Sequence, residues 1–399
     1  MSRSTHPDAE RGHVKEHTHL VELEHPPHWR LLHTRGVFNA LHATHARYHD
    51  PHLDTYIDWS ARKHRKGRRV TVNEVPEKHK VVRRWPRVWG WEFGNISWWV
   101  AQFFTWGSAV WCVNGWYALF PLADETTNTN IVGWTALVGG TLFEVGAYCM
   151  VMEAVNRGNA VRFGYEVKNL LEEGLTYFHL THGSGYYSVN SSSAAPEKGS
   201  NKLQGDEAEA RTGGGANSNL SNATLLSTQN DHRGAGASKG ASHPRGKGGA
   251  PQRWRWWGYR WNNLGYLGSF ITFVGATIFW ISTIVGVPNV LPDAETHYVE
   301  WDILFWLTQV LGSCCFIAAS LLFMLETQPS WWHIQPLNLG WQVGFWNLIG
   351  GIGFWLSGFF GFWQYPAQIY QKWGTALSTF WGAWAFLLGS YIQLFEMLN

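Results

Sequence analysis

The chain has 399 residues, a formal net charge of +2 and a mean hydropathy of −0.20. A charge so close to balance excludes binding to nucleic acid through a basic field of the whole molecule, and we expect no nucleic-acid partner. The mean hydropathy averages a polar N-terminal region with a more apolar remainder. Thirteen of the 19 histidines precede residue 80, and 25 of the 27 tryptophans lie between residues 85 and 384.

Residues 1–90 form a histidine-rich N-terminal region, which we interpret as a cytoplasmic arm. Its stretch LHATHARYHDPH spaces His42, His45 and His49 three and four residues apart, which would place the three imidazoles on one face of a helix. Such a face could hold a zinc or copper ion. Because no cysteine or acidic residue stands at ligand spacing, the interpretation we favour is a solvated polar face without metal.

Six segments are long and apolar enough to cross a hydrocarbon core of roughly 30 Å, which takes about 20 helical residues. Backbone groups in lipid must pair within their own segment, so each is predicted to be a helix. The sequence therefore predicts an all-α polytopic membrane protein with the lipid bilayer as its environment. The segments are Ile96–Phe120, Ile131–Val155, Leu264–Val287, Leu304–Leu325, Trp341–Phe362 and Leu377–Leu398.

Basic residues predict the orientation of these helices. Five Lys or Arg lie between residues 78 and 87, and 13 lie between the second and third helices, whereas the loops PLADETTNTN and PNVLPDAETHYVE contain none. By the positive-inside rule both termini face the cytoplasm, in the plasma membrane or an endomembrane.

Most tryptophans stand at segment edges, as expected for aromatic belts at the membrane surface. Trp106, Trp111, Trp355 and Trp384 lie deeper in their segments. A buried indole N–H usually has a hydrogen-bond acceptor, so we expect a partner for each of these four.

The composition changes twice between the second and third helices. Residues 157–183 carry apolar side chains at helical intervals, and they predict an amphipathic helix on the inner membrane face or a short soluble helix. Residues 184–250 are rich in Gly, Ser, Asn and Ala and predict a disordered linker.

One 16-residue pattern occurs three times, as VGGTLFEVGAYCMVME, LGSCCFIAASLLFMLE and WGAWAFLLGSYIQLFE. Each copy has Gly at its second place, Phe at its sixth and Glu at its sixteenth. The glycines, Gly139, Gly312 and Gly382, share one helical stripe with the Phe, a small residue and the Glu. Small residues on one stripe of a membrane helix indicate close packing against a neighbouring helix.

The odd-numbered helices carry a second pattern, in which an aromatic residue follows a glycine by four places. An asparagine stands 12 residues ahead of the first two glycines, and the third copy has its asparagine displaced by one. We therefore predict three repeated helical hairpins, at residues 91–156, 251–327 and 328–399. The glycine and aromatic pairs are Gly107 and Trp111, Gly275 and Phe279, and Gly351 and Trp355, and the asparagines are Asn95, Asn263 and Asn338.

The hairpin contains aromatic and Gly-Ser or Gly-Ala steps, such as FITFVGATIFW and WAFLLGSYIQLFE, and it resembles the YrhK-like membrane domain. Residues 85–399 resemble the large multi-pass integral membrane proteins of filamentous fungi that carry such segments. The resemblance implies a helical fold and a membrane location. The resemblance does not indicate an activity, a cofactor or a substrate, so it leaves the function open.

Glu153, Glu326 and Glu396 end the three copies at the predicted cytoplasmic face. A carboxylate at a helix C-terminus opposes the helix dipole, at a cost on the order of 0.3–1 kcal/mol, so each is expected to have a partner. We expect Arg87 and Arg260, or tryptophan N–H groups at the same level, to be those partners. Pairing between hairpins is the role we favour, and a ring that binds protons or ions is the alternative.

Glu144 lies in the middle of the second helix, and neither other copy has an acid at that place. An acidic residue within the membrane is costly and is a candidate functional residue. The interpretation we favour is structural, with a protonated Glu144 paired to Asn114 or Gln102 of the preceding helix.

The chain contains no phosphate-binding loop, HExxH, CxxC or Ser-His-Asp arrangement, so we expect no enzymatic activity, no catalytic residue and no cofactor. The predicted function is a membrane scaffold or accessory subunit whose cytoplasmic tails recruit protein partners. The alternative is a small transporter or channel that works through Glu144.

Overall fold

The computed structural model describes residues 29–38, 40–52, 54–66, 71–72, 86–182, 253–292, 294, 296–363 and 369–399. The chain divides into two compact units, Met1–Gly174 with Arg253–Asn399, and Leu175–Gln252. Of the second unit, only residues 175–182 at the end of one helix are described, and all other described residues belong to the first. The predicted linker at 184–250 lies outside the described residues.

The N-terminal region contains a small antiparallel sheet of four strands. They are β1 (Arg30–Arg35), β2 (His45–Asp50), β3 (Thr55–Ser60) and β4 (Thr71–Val72), and a short helix α1 (Ala61–Arg65) follows β3 directly. The strands lie in the order β1-β2-β3-β4. The core of the sheet is formed by Ala46, Tyr48 and Ile57, with Trp29 and Trp59 packed against them. Residues of β2 alternate between half-buried and buried, which is the period of a strand with one covered face.

The predicted helix through His42, His45 and His49 is therefore wrong. His45 and His49 lie on β2, and His42 precedes it. The strand forms because alternate positions carry the side chains that the sheet buries, and the next run, TYIDW, supplies residues that favour a strand.

The remainder of the described chain is mostly helical. The α-helices are α2 (Ile96–Leu119), α3 (Glu125–Val155), α4 (Phe163–His182), α5 (Leu264–Val285), α6 (Tyr298–Trp301), α7 (Thr308–Thr327), α8 (Leu339–Gly361) and α9 (Leu377–Leu398). A π-helical segment, Asp302–Leu307, joins α6 to α7, and a second one, Tyr370–Ala376, leads into α9.

Four helices of the described chain are long and apolar enough to cross a membrane, which indicates a membrane protein. Helices α2 and α9 are also long but are not among the four, because tryptophan, serine and amide side chains lower their hydropathy. The four are Glu125–Val155, Leu264–Val285, Tyr298–Thr327 and Leu339–Gly361.

Six long helices pack side by side in a closed ring. Each contacts the next in the order α2, α3, α5, α7, α8, α9, and α9 returns to α2. Glycines lie at these contacts: a methyl group on Gly139 would come within 2.7 Å of the Trp111 ring, and one on Gly312 within 2.7 Å of Phe279 Cβ. Gly382 lies against the backbone of Gly350 and Gly353. Side chains at these positions would force the helices apart.

Candidate functional site

Three helices begin and three end at one end of this ring, which we call the glutamate end. Helices α2, α5 and α8 begin there, and the side-chain oxygens of Asn95, Asn263 and Asn338 cap them by accepting backbone N–H bonds of 2.9–3.0 Å. Glu153 and Glu326 lie near the last residues of α3 and α7. Each glutamate opposes the dipole of its own helix but lies beside the N-terminus of a neighbour, which offsets that cost.

The basic helix α1 inserts its side chains into the glutamate end. The Arg62 guanidinium makes a bidentate contact with the Glu396 carboxylate, with Nε donating to Oε1 at 2.9 Å and Nη2 to Oε2 at 2.8 Å. Lys66 Nζ donates to the same Oε2 at 2.5 Å. Arg65 Nη1 donates to Glu326 Oε1 at 2.9 Å. The N-terminal sheet is thereby tied to α7 and α9.

Glu153 is paired within the helix ring. The Ser97 hydroxyl, at the start of α2, donates to Glu153 Oε1 at 2.6 Å, and both residues are buried. Glu153 also lies close enough to Arg62 and Lys66 to act on their charges. We call the group of Arg62, Arg65, Lys66, Glu153, Glu326 and Glu396 the ionic cluster.

The charges of the ionic cluster balance, and most of its side chains are buried. The cluster holds three basic and three acidic side chains, and Glu326 and Arg65 are 0% and 2% exposed. Burying charges costs several kcal/mol each, which close pairing offsets only when the geometry is good. Removal of Arg65 would take away the close ion pair of Glu326, whereas Glu396 keeps one basic partner when either Arg62 or Lys66 is lost.

Two glycines make room for the arginines. A methyl group on Gly265, the second residue of α5, would overlap the Arg65 guanidinium and the Glu326 carboxylate. One on Gly340, the second residue of α8, would lie 2.6 Å from Arg62 Nε. The equivalent position of α2 is Ser97, whose hydroxyl instead bonds Glu153. The residue at the second position of each of these three helices therefore either leaves room for a neighbouring charged side chain or forms a hydrogen bond with it.

Burial and nearby charges change the pKa values of three groups on α1 and at its C-terminal end. Burial lowers the pKa of Lys66 to about 8, although Glu396 acts in the opposite direction. Burial also lowers the pKa of Arg62, but Glu396, Glu326 and Glu153 outweigh it and raise the pKa above the usual arginine value. The pKa of His64 is lowered by burial, with further contributions from Arg157 and Arg260.

The expected partners of the glutamates were incorrect. For Glu326 and Glu396, Arg62, Arg65 and Lys66 take the place that we expected Arg87 and Arg260 to take. Arg87 instead bonds the Asn399 side chain through its backbone N–H and carbonyl, at 2.7 and 2.8 Å. The sequence did contain a signal, because ARKHRK places basic residues at i, i+3 and i+4 on one helical face.

Glu144 has a different partner from the expected pair. Thr277 Oγ1, from α5, donates to Glu144 Oε1 at 2.9 Å. Asn114 instead donates to the Val132 carbonyl at 2.6 Å and to the Thr135 hydroxyl at 3.1 Å. Neither end of the Gln102 amide has a hydrogen-bond partner in the described chain. Glu144 therefore lies at the contact between α3 and α5.

The structure gives the three histidines separate contacts. His49 Nε2 lies 3.0 Å from Asp54 Oδ1, and His45 Nδ1 lies 3.0 Å from the Thr44 hydroxyl. The His42 backbone N–H donates to the Asn262 carbonyl at 2.8 Å. Within the described ranges, no group of three His, Cys, Asp or Glu side chains could hold an ion.

Six aromatic side chains close the middle of the helix ring, one from each long helix. Trp111, Phe279 and Phe354 form one triangle, with ring centroids 5.0–5.6 Å apart. Phe143, Phe316 and Phe386 form a second, with centroids 5.6–6.5 Å apart. Contacts between Phe279 and Phe316 and between Phe354 and Phe386 join the triangles into one aromatic layer.

Cavities lie next to both triangles. A small one of about 30 Å³ is lined by all three rings of the second triangle together with Thr272, Ser320, Asn347 and Gln393. A larger one of about 360 Å³ is lined by Trp111 of the first triangle and by residues of α2, α3, α5, α7, α8 and α9. Glu144 lines neither of these two cavities.

Comparison with known proteins adds no relative. No family model, no curated protein and no solved structure matches the chain. A function for this protein therefore has to be inferred from the geometry of its own residues.

Proposed function

We propose that this protein is a membrane scaffold or accessory subunit without enzymatic activity, which holds a folded N-terminal domain at one face of the bilayer. The observation that carries the proposal is the ionic cluster. It fixes the four-stranded sheet and α1, which we call the sheet domain, to α7 and α9 through buried charges, where a flexible tail would need no such attachment. Protein partners would be recruited through that domain and the other tails.

The proposal includes six spanning helices arranged as three repeated hairpins. Two observations support the repeat. Each hairpin contributes one ring to each triangle of the aromatic layer, and each begins with an asparagine-capped helix at the glutamate end. Phe354 occupies the third position of the first triangle, where Trp355 was expected. The matching glycine is then Gly350, and Asn338 regains the spacing of 12 residues.

We further propose that the glutamate end faces the cytoplasm, with both chain termini on that side. Basic residues on the segments flanking this end support this orientation, because two of the three loops at the other end have none and the third has only Lys372. The exposed apolar residues of the sheet domain, Leu31, Leu32 and Phe38, are 41–45% exposed and suit contact with a protein partner.

The alternative, transport through Glu144, lacks support from geometry. Glu144 lines neither of the two cavities, and its carboxylate is bonded to Thr277 on the neighbouring helix. The aromatic layer separates the cavities, so neither provides a continuous polar path.

Reconstitution in proteoliposomes tests the two functions against each other. A scaffold is expected to give no proton or ion flux above that of empty vesicles, with or without Glu144→Gln. Flux that requires Glu144 would overturn the proposal.

Recruitment is tested separately by proximity labelling in the natural membrane. The double variant Glu326→Gln, Glu396→Gln should release the sheet domain and change which proteins are labelled. An identical set of neighbours would argue against recruitment through this domain. Thr277→Val is the matched control, because it removes a polar contact between the helices and leaves the ionic cluster intact.

A further inference from the structure

The larger cavity has the size and the lining of a small-molecule site. Its volume of about 360 Å³ falls near the lower end of the range for ligand pockets, roughly 300–1,000 Å³. Side chains from all six long helices contribute to it.

None of the described lining residues is charged. The lining combines aromatic rings and small aliphatic side chains with neutral hydroxyl and amide groups. Burial of a charged ligand without an opposite charge would cost several kcal/mol, so the lining disfavours ions. It also disfavours a hydrocarbon, because an apolar ligand would remove water from the hydroxyl and amide groups without replacing their hydrogen bonds.

The donors of the lining are largely used inside the protein. The hydroxyls of Ser282 and Thr283 donate to carbonyls of their own helix at 2.6 and 2.7 Å. The Asn114 amide N–H groups are bonded to α3, and the Asn128 amide donates to the Tyr117 carbonyl at 3.3 Å. A hydroxyl that donates once can still accept, and an amide oxygen accepts two bonds. The walls therefore present acceptors together with two donors that have no hydrogen-bond partner in the described chain, the Thr375 hydroxyl and the indole N–H of Trp111, for which we had expected a partner.

A fixed hydrogen-bonded group from three helices lies in the wall. Gln309 Nε2 on α7 donates to Ser357 Oγ on α8 at 3.2 Å, and Ser357 lies 2.7 Å from Thr379 Oγ1 on α9. The three residues are 6%, 1% and 7% exposed, so their positions are set by packing before any ligand arrives. Preorganised groups of this kind bind with less loss of entropy.

Flat aromatic faces complete the lining. Trp301, Phe305 and Trp306 lie on the segment that leads into α7, and Trp306 is held against Gly361. Such faces suit the C–H side of a ring or chain whose other groups are hydroxyls. We propose that the cavity binds a small neutral polyhydroxylated molecule, such as a monosaccharide or a sugar alcohol.

Calorimetric titration of the purified full-length protein in detergent tests the site, with D-glucose and sorbitol as probes. At least one of them should bind with a Kd in the millimolar range or tighter. Gluconate and glucosamine, which add one charge to a similar frame, should bind at least tenfold more weakly than glucose. Absence of binding by either neutral probe would overturn the proposal.

Variants locate the site. Thr379→Val keeps the volume of the side chain but removes the hydroxyl that bonds Ser357, and it should weaken binding about tenfold or more. Ala118→Trp fills the cavity from α2 and should abolish binding. Thr277→Val and Glu144→Gln lie outside the cavity and should leave the Kd unchanged. Unaltered binding in both cavity variants would contradict the assignment.

Two other ligand classes are distinguishable outcomes. An acceptor-rich aromatic cavity could favour a quaternary ammonium through cation–π contacts, or an alkali cation through its oxygens. Titration with choline, sodium and potassium would show either one. Binding of these cations with no binding of glucose or sorbitol would contradict the neutral class proposed here.

Discussion

At the scale of single residues, the ionic cluster distributes its charges unevenly. Glu396 has two basic partners, Arg62 and Lys66, whereas the close ion pair of Arg65 among the described residues is with Glu326. Arg62 makes two parallel bonds of fixed geometry, and Lys66 adds a point charge that is already compensated. Loss of each basic residue should therefore have a different cost.

Arg62→Met and Lys66→Met should separate these roles. The first leaves Glu396 with Lys66 and Glu326 with Arg65, but it removes a bidentate pair, at a cost of about 3–5 kcal/mol in the stability of the docked state. The second leaves the Arg62 pair intact and should cost less than about 1 kcal/mol. Hydrogen exchange of the α1 amides measures the opening free energy in both variants. Equal losses would contradict the uneven distribution.

Lys66 should contribute to the pH dependence of the protein's stability. Its pKa is about 8 in the folded protein against 10.5 in a model peptide, so the unfolded state binds more protons between those values. Stability contributed by this residue should therefore rise as pH increases from 8 to 10. The difference in melting temperature between the wild type and Lys66→Met, followed over this range, reports it. A difference that falls with pH would contradict the sign.

His64 should also make stability increase with pH, but over a lower pH range than Lys66. Burial lowers its pKa below 6.5, so acidification from pH 7 protonates the unfolded state first and stability is lost as pH falls below that value. His64→Gln should flatten the loss between pH 7 and 5. An unchanged acid profile in this variant would show that other groups control it.

At the scale of elements, the helices were predictable and the sheet was not. Each of the six predicted segments coincides with a helix whose ends lie within six residues of the predicted bounds, because length and backbone pairing in an apolar environment leave little choice. The sheet escaped prediction because histidines at spacings of three and four suggested a helix, whereas alternation at Ala46, Tyr48 and Asp50 decides the fold. The ion pairs of the ionic cluster were not predicted because their members lie far apart in the sequence; Arg62 and Glu396 are separated by 334 residues.

The starts of α5 and α8 should be unusually sensitive to added volume. Gly265→Ala places a methyl group in the space of the Arg65 and Glu326 pair, which cannot move without breaking, and should cost about 1–3 kcal/mol. Gly174→Ala on α4 is the matched control, since nothing lies within 4 Å of the added methyl. The control should stabilise α4 by up to about 1 kcal/mol. Equal melting temperatures of the two variants would contradict this sensitivity.

At the scale of the whole molecule, the closed helix ring is divided into layers of different chemistry. The ionic cluster lies at the glutamate end, the aromatic layer in the middle and the larger neutral cavity beyond Trp111. The aromatic rings therefore lie between the buried charges and the larger cavity. This division makes the orientation of the bundle decisive, because orientation determines which side of the membrane reaches the cavity.

Orientation can be tested with single cysteines in a variant that lacks the four natural ones. Thr126→Cys lies in the exposed first turn of α3, at the end opposite the glutamates, and Lys168→Cys lies on the exposed side of α4. With the glutamate end in the cytoplasm, a membrane-impermeant maleimide should label Thr126→Cys in intact cells and Lys168→Cys only after permeabilisation. The sequons at Asn219 and Asn222 should carry no glycan. The reverse labelling, or a glycan at either asparagine, would place the larger cavity on the cytoplasmic side.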